Sequence, residues 1–197
     1  MELCLGFLAS HRGSNVEAIL RNIESGELRA SARVIISNNA DAGVLDIGKS
    51  RTIPSYCLSS RNVEEPDKSI LETLKDHEVN VVILAGYMKL VGSEITTAYA
   101  DRILNIHPAL LPKYGGKGMY GMAVHEAVIK SDDTKSGATV HIATNEYDRG
   151  RILAQYTVPR FARDTAETLA ARVLKIEHVL YSQTLIDIQR GIISLDS

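Results

Sequence analysis

The apolar run at residues 79–85 constrains the fold of this chain more than any other feature. Its residues are apolar and largely β-branched, with Asn80 as the one interruption. A run this short is typical of a strand that is buried on both faces of a sheet. Both faces can be buried only if helices cover them, and parallel strands require such helices as crossover connections. A mostly parallel sheet is therefore expected.

The rest of the chain repeats this alternation of short apolar runs with longer amphipathic segments. Strands are predicted at residues 3–9, 33–37, 54–58, 79–85, 103–106, 138–143 and 152–158. Helices are predicted at residues 14–25, 41–50, 62–77, 93–99, 122–131 and 165–190, the last opened by Asp164 or Thr165 as its cap. This order predicts an α/β fold: a doubly wound, mostly parallel twisted sheet of about seven strands with helices on both faces. At 197 residues, the chain is expected to form one domain over residues 1–197.

Composition excludes several classes of function. The formal net charge of -2 argues against a protein that coats nucleic acid, which usually carries a basic surplus. Cys4 and Cys57 are too few for a disulfide scaffold and are expected to be reduced thiols. Residues 1–9 read as a strand and not as a signal peptide, because Glu2 stands where a basic residue would be. We therefore expect a cytoplasmic protein with no membrane segment and no nucleic-acid partner.

Ligands of doubly wound sheets bind outside the carboxyl ends of the strands, so the residues after each strand are the candidates for a site. Gly13, Ser14 and Asn15 follow the first strand and begin a helix. A glycine turn followed by unpaired helix N–H groups favours an anion, with phosphate as the expected occupant. An ordinary strand-to-helix turn with a polar cap would have the same local sequence.

Two further segments carry groups suited to catalysis. Asn105 and His107 lie at a strand end and should face the same side, because side chains alternate along a strand. Asp148 lies in an acidic turn that could fold over to pair with His107, although a solvated hairpin turn is the alternative for that segment alone. The histidines are scattered without metal-ligand spacing, so no metal is expected. The other histidines near these segments are expected to be structural or peripheral: His11, His125 and His141.

Taken together, these segments resemble the phosphoribosylglycinamide formyltransferases, which belong to the folate-dependent formyltransferase family. The resemblance runs nearly end to end. It covers Gly-Ser-Asn at 13–15, Ser-Asn-Asn-Ala-Asp-Ala-Gly at 37–43, Leu-Ala-Gly-Tyr-Met-Lys-Leu at 84–90, Asn-Ile-His-Pro-Ala-Leu-Leu-Pro at 105–112, Ser-Gly-Ala-Thr-Val-His at 136–141 and Tyr-Asp-Arg-Gly at 147–150. The stretch at 105–112 is specific to folate-dependent formyl transfer, and the Gly-Ser-Asn turn points to a phosphoribosyl substrate. The implied fold is the Rossmann-like formyltransferase fold.

The resemblance implies a role for each matching position. It implies the catalytic residues Asn105, His107 and Asp148. It implies binding of phosphoribosylglycinamide by Gly13, Ser14, Asn15, Gly86 and Glu177. It implies binding of the folate by Arg61, Met88, Lys89, Leu90, Val91, Asn105 and Thr144, with Arg61 near the folate tail. The cosubstrate implied is 10-formyltetrahydrofolate, without a metal, in a monomer or homodimer.

The implied reaction is attack of the glycinamide amine on the formyl carbon, with Asn105 and His107 as donors to the developing oxyanion. A carboxylate beside an imidazole favours the cation, so Asp148 is expected to raise the pKa of His107. Three departures from the family pattern, His11, Arg151 and Leu174, affect the surroundings of these groups.

The same residues are compatible with other functions. A formyltetrahydrofolate deformylase could use the same three groups, as could a formyltransferase acting on another amine. A noncatalytic phosphate-binding module would need none of the three. The deformylases normally carry an additional N-terminal domain and the other formyltransferases a C-terminal one. Neither is expected in a chain that begins its first strand at Leu3 and ends at Ser197.

Overall fold

The chain folds around a seven-stranded sheet. The computed structural model describes residues 2–196, so the two ends of the predicted domain, Met1 and Ser197, lie outside it. The strands are β1 Leu3–Leu8, β2 Ala30–Ser37, β3 Ser55–Cys57, β4 Val81–Leu84, β5 Ile103–His107, β6 Lys135–Ile142 and β7 Ile152–Pro159. They lie in the order β3-β2-β1-β4-β5-β6-β7, with β6 antiparallel to both β5 and β7 and every other pair parallel. The predicted mostly parallel sheet is confirmed.

Helices cover both faces of this sheet, as the buried pattern of residues 79–85 requires. They are α1 Ser14–Glu24, α2 Val44–Ser50, α3 Pro66–Asp76, α4 Ser93–Ala98, α5 Met122–Lys130 and α6 Ala166–Gln189. Ile83 of β4 packs into an apolar cluster with α1, α2, α5 and α6, whereas Val82 packs into a second cluster with α3 and α4. Successive residues of a strand therefore enter different cores, and both must be apolar.

Four elements begin three or more residues away from their predicted starts. α3 begins at Pro66 and not at residue 62, because the residue before a proline is disfavoured in the helical region and Glu65 has φ -120° and ψ 79°. α2 begins at Val44 and not at residue 41, because the Asn39 side chain accepts from the N–H of Asp41 at 3.1 Å and forms a turn there. β2 and β6 begin three residues earlier than predicted, since backbone pairing extends beyond their apolar stretches.

The long helix α6 begins where the sequence predicts. The Thr165 side chain accepts from the backbone N–H of Thr168, and the Thr168 side chain accepts from that of Thr165. This reciprocal pair satisfies two N–H groups that the first turn of a helix leaves unpaired. Asp164 instead forms an ion pair with Arg172 at 2.7 Å.

The order of the strands reverses between β1 and β4. The chain proceeds from β1 to β2 and β3 on one side, then returns to β4 and continues to β7 on the other. Such a reversal leaves a crevice at the carboxyl ends of the two central strands. None of the helices within residues 2–196 has the length and apolar character needed to cross a membrane.

Candidate active site

A cavity of about 1040 Å³ opens at this crevice. Its walls are formed by the segments that follow β1, β4, β5 and β6, by the loop before α5, and by one face of α6. The site residues predicted from the sequence that line it are Gly13, Ser14, Asn15, Gly86, Met88, Lys89, Leu90, Val91, Asn105, His107, Thr144, Asp148 and Glu177. Arg61 is the exception, because it lies in an exposed turn after β3 and does not line the cavity.

The turn at residues 13–15 requires a glycine. Gly13 has φ +79°, in the left-handed region, and a Cβ there would lie 2.6 Å from Cγ2 of Val44. This conformation starts α1 directly beneath the cavity, where the N–H groups of the first helical turn have no intrahelical acceptor. Asn15 is buried in that turn and donates to Oε2 of Glu177 at 2.8 Å, while its own Oδ1 has no partner. The turn thus presents unpaired N–H groups and a buried amide oxygen.

Burial also affects the charge of Glu177. The side chain is 8% exposed, and burial raises the pKa of its carboxyl, although the hydrogen bond from Asn15 opposes the rise. The carboxyl therefore takes up a proton more readily than an ordinary glutamate does, and it can then donate as well as accept at the cavity wall.

Asn105 faces the cavity beside a histidine that lies opposite it on the next strand. Asn105 of β5 pairs in register with His141 of β6, and its Nδ2 lies 3.0 Å from Nε2 of that histidine. The other ring nitrogen, Nδ1, lies 2.9 Å from the carbonyl oxygen of Ile142 and donates to it. When Nε2 carries no proton, it accepts one hydrogen of the Asn105 amide, and the second hydrogen is left for a ligand.

The imidazole of His107 is buried and oriented by the loop that follows β5. It is 4% exposed, and its Nε2 lies 2.7 Å from the carbonyl oxygen of Tyr114. A carbonyl can only accept, so Nε2 carries the proton. Nδ1 lies 3.5 Å from Oδ1 of Asp148.

The predicted rise in the pKa of His107 is wrong. Burial lowers the pKa of this imidazole below its ordinary value, and although the charge of Asp148 and the Tyr114 carbonyl raise it, they do not compensate. Asp148 is not in close hydrogen-bonding contact, and the electrostatic effect of the neighbouring His141 also lowers this pKa. His107 is therefore neutral at neutral pH, with the lone pair on Nδ1.

Asp148 is held in place by a backbone N–H of the loop after β5 and lies beside a histidine of β6. It adopts φ 55°, a left-handed conformation that aspartate tolerates better than most residues. Its Oδ2 accepts from the N–H of Gly116 at 2.9 Å, and its Oδ1 lies 3.5 Å from Nε2 of His141. Burial alone would raise the pKa of Asp148, but His141, His107 and the Gly116 N–H together hold it below its ordinary value. The carboxylate is therefore ionised.

The segment after β4 forms an apolar part of the cavity mouth. Met88 and Leu90 are each 39% exposed although their side chains are large and apolar, whereas Val91 is buried in the core beneath them. The N–H of Met88 donates to Oγ of Ser10 at 2.9 Å, which joins this segment to the turn after β1. Exposed apolar side chains at a cavity mouth favour a ligand with a flat or apolar body.

Three histidines that were expected to be structural or peripheral in fact line the cavity. His141 contacts Asn105, His125 is buried with an unpartnered Nδ1, and His11 lies at the exposed mouth. Their positions in the sequence could not reveal this. The pairing of β5 with β6 and the packing of α5 depend on tertiary structure. The departure at Arg151 also has a structural role, since its guanidinium donates to the carbonyl oxygens of Ser194 and Leu195 at 3.1 and 2.9 Å.

A doubly wound sheet with this cavity at its reversal point places the chain in a class of ligand-binding α/β proteins. The chain belongs to the formyl transferase family, whose model matches residues 5–185.

Its relatives are named more narrowly. The chain is 42% identical to the chloroplastic phosphoribosylglycinamide formyltransferase of Vigna unguiculata over 92% of its own length and 59% of that protein's. It is 37% identical to the phosphoribosylglycinamide formyltransferase of Haemophilus influenzae over 90% of its own length and 82% of that protein's. The crystal structure of the phosphoribosylglycinamide formyltransferase from Anaplasma phagocytophilum is similar with a TM-score of 0.87 at 35% identity, covering 97% of this chain and 88% of that one. The chain thus spans about three fifths of the length of the plant relative.

Proposed function

We propose that this protein transfers the formyl group of 10-formyltetrahydrofolate to the glycinamide amine of 5-phosphoribosylglycinamide, a step of purine biosynthesis. The observation that supports the proposal is that the turn at residues 13–15 lines the same cavity as Asn105, His107 and Asp148. A noncatalytic phosphate-binding module would need only the turn.

We assign two ligands to the cavity. In the proposal, the phosphate binds at Gly13, Ser14 and Asn15, where the helix N–H groups are unpaired. The ribose lies against Glu177, whose carboxyl is hydrogen-bonded to Asn15 and faces the same space. At about 1040 Å³ the cavity lies at the upper end of the usual range for small-molecule sites, ~300–1,000 Å³.

The folate is assigned to the other end of the cavity. Its ring system would lie along residues 86–91 and Thr144, where Met88 and Leu90 expose apolar surface at the cavity mouth. Arg61 stays assigned to the folate tail, which must then extend beyond the cavity to reach it. Asn105 lies between the two ligands.

The neutral state of His107 sets the order of proton transfers that we propose. The amine attacks the formyl carbon, and its nitrogen gives up a proton to Nδ1 of His107, which is the free ring nitrogen. The remaining amide N–H of Asn105 donates to the oxyanion that forms. The ionised Asp148, 3.5 Å from Nδ1, stabilises the imidazolium. The imidazolium then returns the proton to the folate nitrogen as the bond from that nitrogen to the formyl carbon breaks.

The proposal also covers the domain, the oligomeric state and the cellular compartment. Residues 1–197 would act as one formyltransferase domain, as a monomer or homodimer, on small-molecule substrates alone. A reducing compartment such as the cytoplasm is supported by Cys4 and Cys57, which are both free.

Formyl transfer is tested by incubating the protein with 10-formyltetrahydrofolate, with and without phosphoribosylglycinamide. We expect loss of the formyl donor only when the amine is present. Formate release without it would identify a deformylase, and activity with other amines but not this one would identify a different formyltransferase. Inorganic phosphate should compete with the phosphoribosyl substrate and not with the folate.

Two variants test the assigned groups. Asn105→Ala and His107→Ala should both fold normally. Asn105→Ala should lower turnover by about 10²–10³, the usual penalty for removing a donor to an oxyanion. His107→Ala should lower it by about 10²–10⁴, the usual contribution of a general acid–base group. His77→Ala is the matched control, because His77 is outside the cavity lining. Either variant retaining more than about a tenth of normal turnover would contradict the role assigned to its side chain.

A further inference from the structure

The loop between β5 and α5 contacts His107 and Asp148 through its backbone. The carbonyl oxygen of Tyr114 accepts from Nε2 of His107 at 2.7 Å, and the N–H of Gly116 donates to Oδ2 of Asp148 at 2.9 Å. Residue 115 between them has no side chain, and a Cβ there would lie 2.9 Å from the Cβ of Asp148. The placement of residues 114–116 therefore decides how the imidazole and the carboxylate face each other.

This loop has little rigidity of its own. Gly116, Gly118 and Gly121 have φ of +102°, +89° and +55°, and a Cβ on any of them would have no neighbour within 4 Å. Glycines in open space lose the most conformational freedom on ordering and gain no contacts in return. Something other than the glycine backbone must hold residues 114–116 in place.

The side chain of Tyr114 supplies that anchor. Its ring is 8% exposed, and its hydroxyl donates to Oδ2 of Asp133 at 2.5 Å. Nζ of Lys113 lies 2.8 and 2.7 Å from the two carboxylate oxygens of Asp133. The hydrogen bonds from Lys113 and Tyr114 hold the pKa of Asp133 below its ordinary value, so it is an ionised acceptor. We call Tyr114, Asp133 and Lys113 the latch.

We propose that Tyr114 and Asp133 are positioning residues that hold the Tyr114 carbonyl against His107, so that the imidazole keeps its proton on Nε2 and turns Nδ1 toward Asp148. Without the latch, the neutral ring also populates the form protonated on Nδ1. That form cannot accept a proton at the nitrogen that faces Asp148. The inference rests on the proposed formyl transfer for its effect on rate, but its effect on the imidazole does not.

The experiment compares Tyr114→Phe and Asp133→Ala with two controls. Tyr156→Phe changes an exposed tyrosine on β7, and Asp132→Ala changes the exposed carboxylate next to Asp133. Nitrogen-15 NMR of the ligand-free protein, labelled in its histidines, reports which ring nitrogen of His107 carries the proton. Steady-state kinetics of formyl transfer report kcat and KM.

We expect both latch variants to show a fraction of His107 protonated on Nδ1, which the wild type and the controls lack. Their kcat should fall by about tenfold to a hundredfold, the usual cost of a small misplacement, with KM for both substrates changed by less than about twofold. An unchanged imidazole signal overturns the proposal even if kcat falls, because the latch would then act on loop stability alone. An unchanged kcat overturns the positioning role.

The NMR and the kinetic measurements also distinguish a failure of this inference from a failure of the proposed function. If the wild type does not transfer formyl groups, the proposed function fails, and the NMR comparison still decides whether the latch sets the imidazole. If the buried Tyr114→Phe variant fails to fold, Asp133→Ala decides alone, since that side chain is 35% exposed.

Discussion

Gly13→Ala should destabilise the protein far more than the same change at the other end of the same helix. Gly13 and Gly26 flank α1 and have nearly equal φ, +79° and +78°. An alanine pays about 1–2 kcal/mol for the left-handed conformation at either position. At Gly26 a Cβ meets nothing within 4 Å, so that is the whole cost.

At Gly13 a second cost is added. The Cβ would lie 2.6 and 2.8 Å from Cγ2 and Cβ of Val44 and 3.2 Å from Cδ1 of Ile47, where α2 packs under the turn. Overpacking of this kind costs about 1–3 kcal/mol. The expected loss is therefore about 2–5 kcal/mol for Gly13→Ala against about 1–2 for Gly26→Ala.

Urea unfolding with a shared slope measures both losses. Combining Gly13→Ala with Val44→Ala should recover part of the overlap cost, so the double variant should be less unstable than the sum of the single changes. Gly13→Ala should also raise KM for phosphoribosylglycinamide while leaving KM for the folate unchanged. Equal losses at Gly13 and Gly26, or an additive double variant, would refute the reasoning.

Three further predictions concern charge. In Asp148→Asn, the pKa of His107 should fall further below its ordinary value, because the carboxylate that raises it is gone, and an NMR titration of that imidazole should show the shift. The pKa of Glu177 is raised in the folded protein, so ionising this carboxyl destabilises the fold. The loss of stability begins as the pH rises above the ordinary pKa of glutamate. Glu177→Gln should therefore gain thermal stability relative to wild type with rising pH, while KM for phosphoribosylglycinamide increases. The pKa of Asp164 is strongly lowered because Arg172 donates hydrogen bonds to its carboxylate. Its contribution to folding stability is therefore present above the ordinary pKa of aspartate and is lost as the pH falls toward the pKa in the folded protein. The unfolding midpoints of Asp164→Asn and wild type should differ at neutral pH and converge in acid.

Hydrophobic patterning was sufficient to predict the sheet and its helices, because burial on two faces leaves a clear signature at residues 79–85. It was not sufficient for boundaries set by local chemistry. The start of α3 depends on Pro66, and that of β6 depends on backbone pairing with β7.

Some features of the candidate site could likewise be predicted from the sequence, and others could not. Asn105 and His107 could be placed on one face from the strand period alone, and both line the cavity. His141 could not be joined to them, because that requires the register of β6 against β5. The charge near His107 could be expected from Asp148, but not the burial that outweighs it. Arg61 was assigned to the folate tail because it occupies a similar position in the sequence. Sequence position does not give the distance between that turn and the cavity.

The antiparallel pairing of β5 with β6 has a consequence for insertions and deletions. Asn105 lies opposite His141 and His107 opposite Thr139, so one side of this strand pair carries the polar groups and the other carries Ile106 and Val140 in the core. Because strand side chains alternate with period two, one residue added or removed within either strand would exchange those sides beyond that point. The exposed turn at residues 60–62 should accept the same change in length with little effect. A change in length is thus poorly tolerated in β5 and β6, however conservative the added residue.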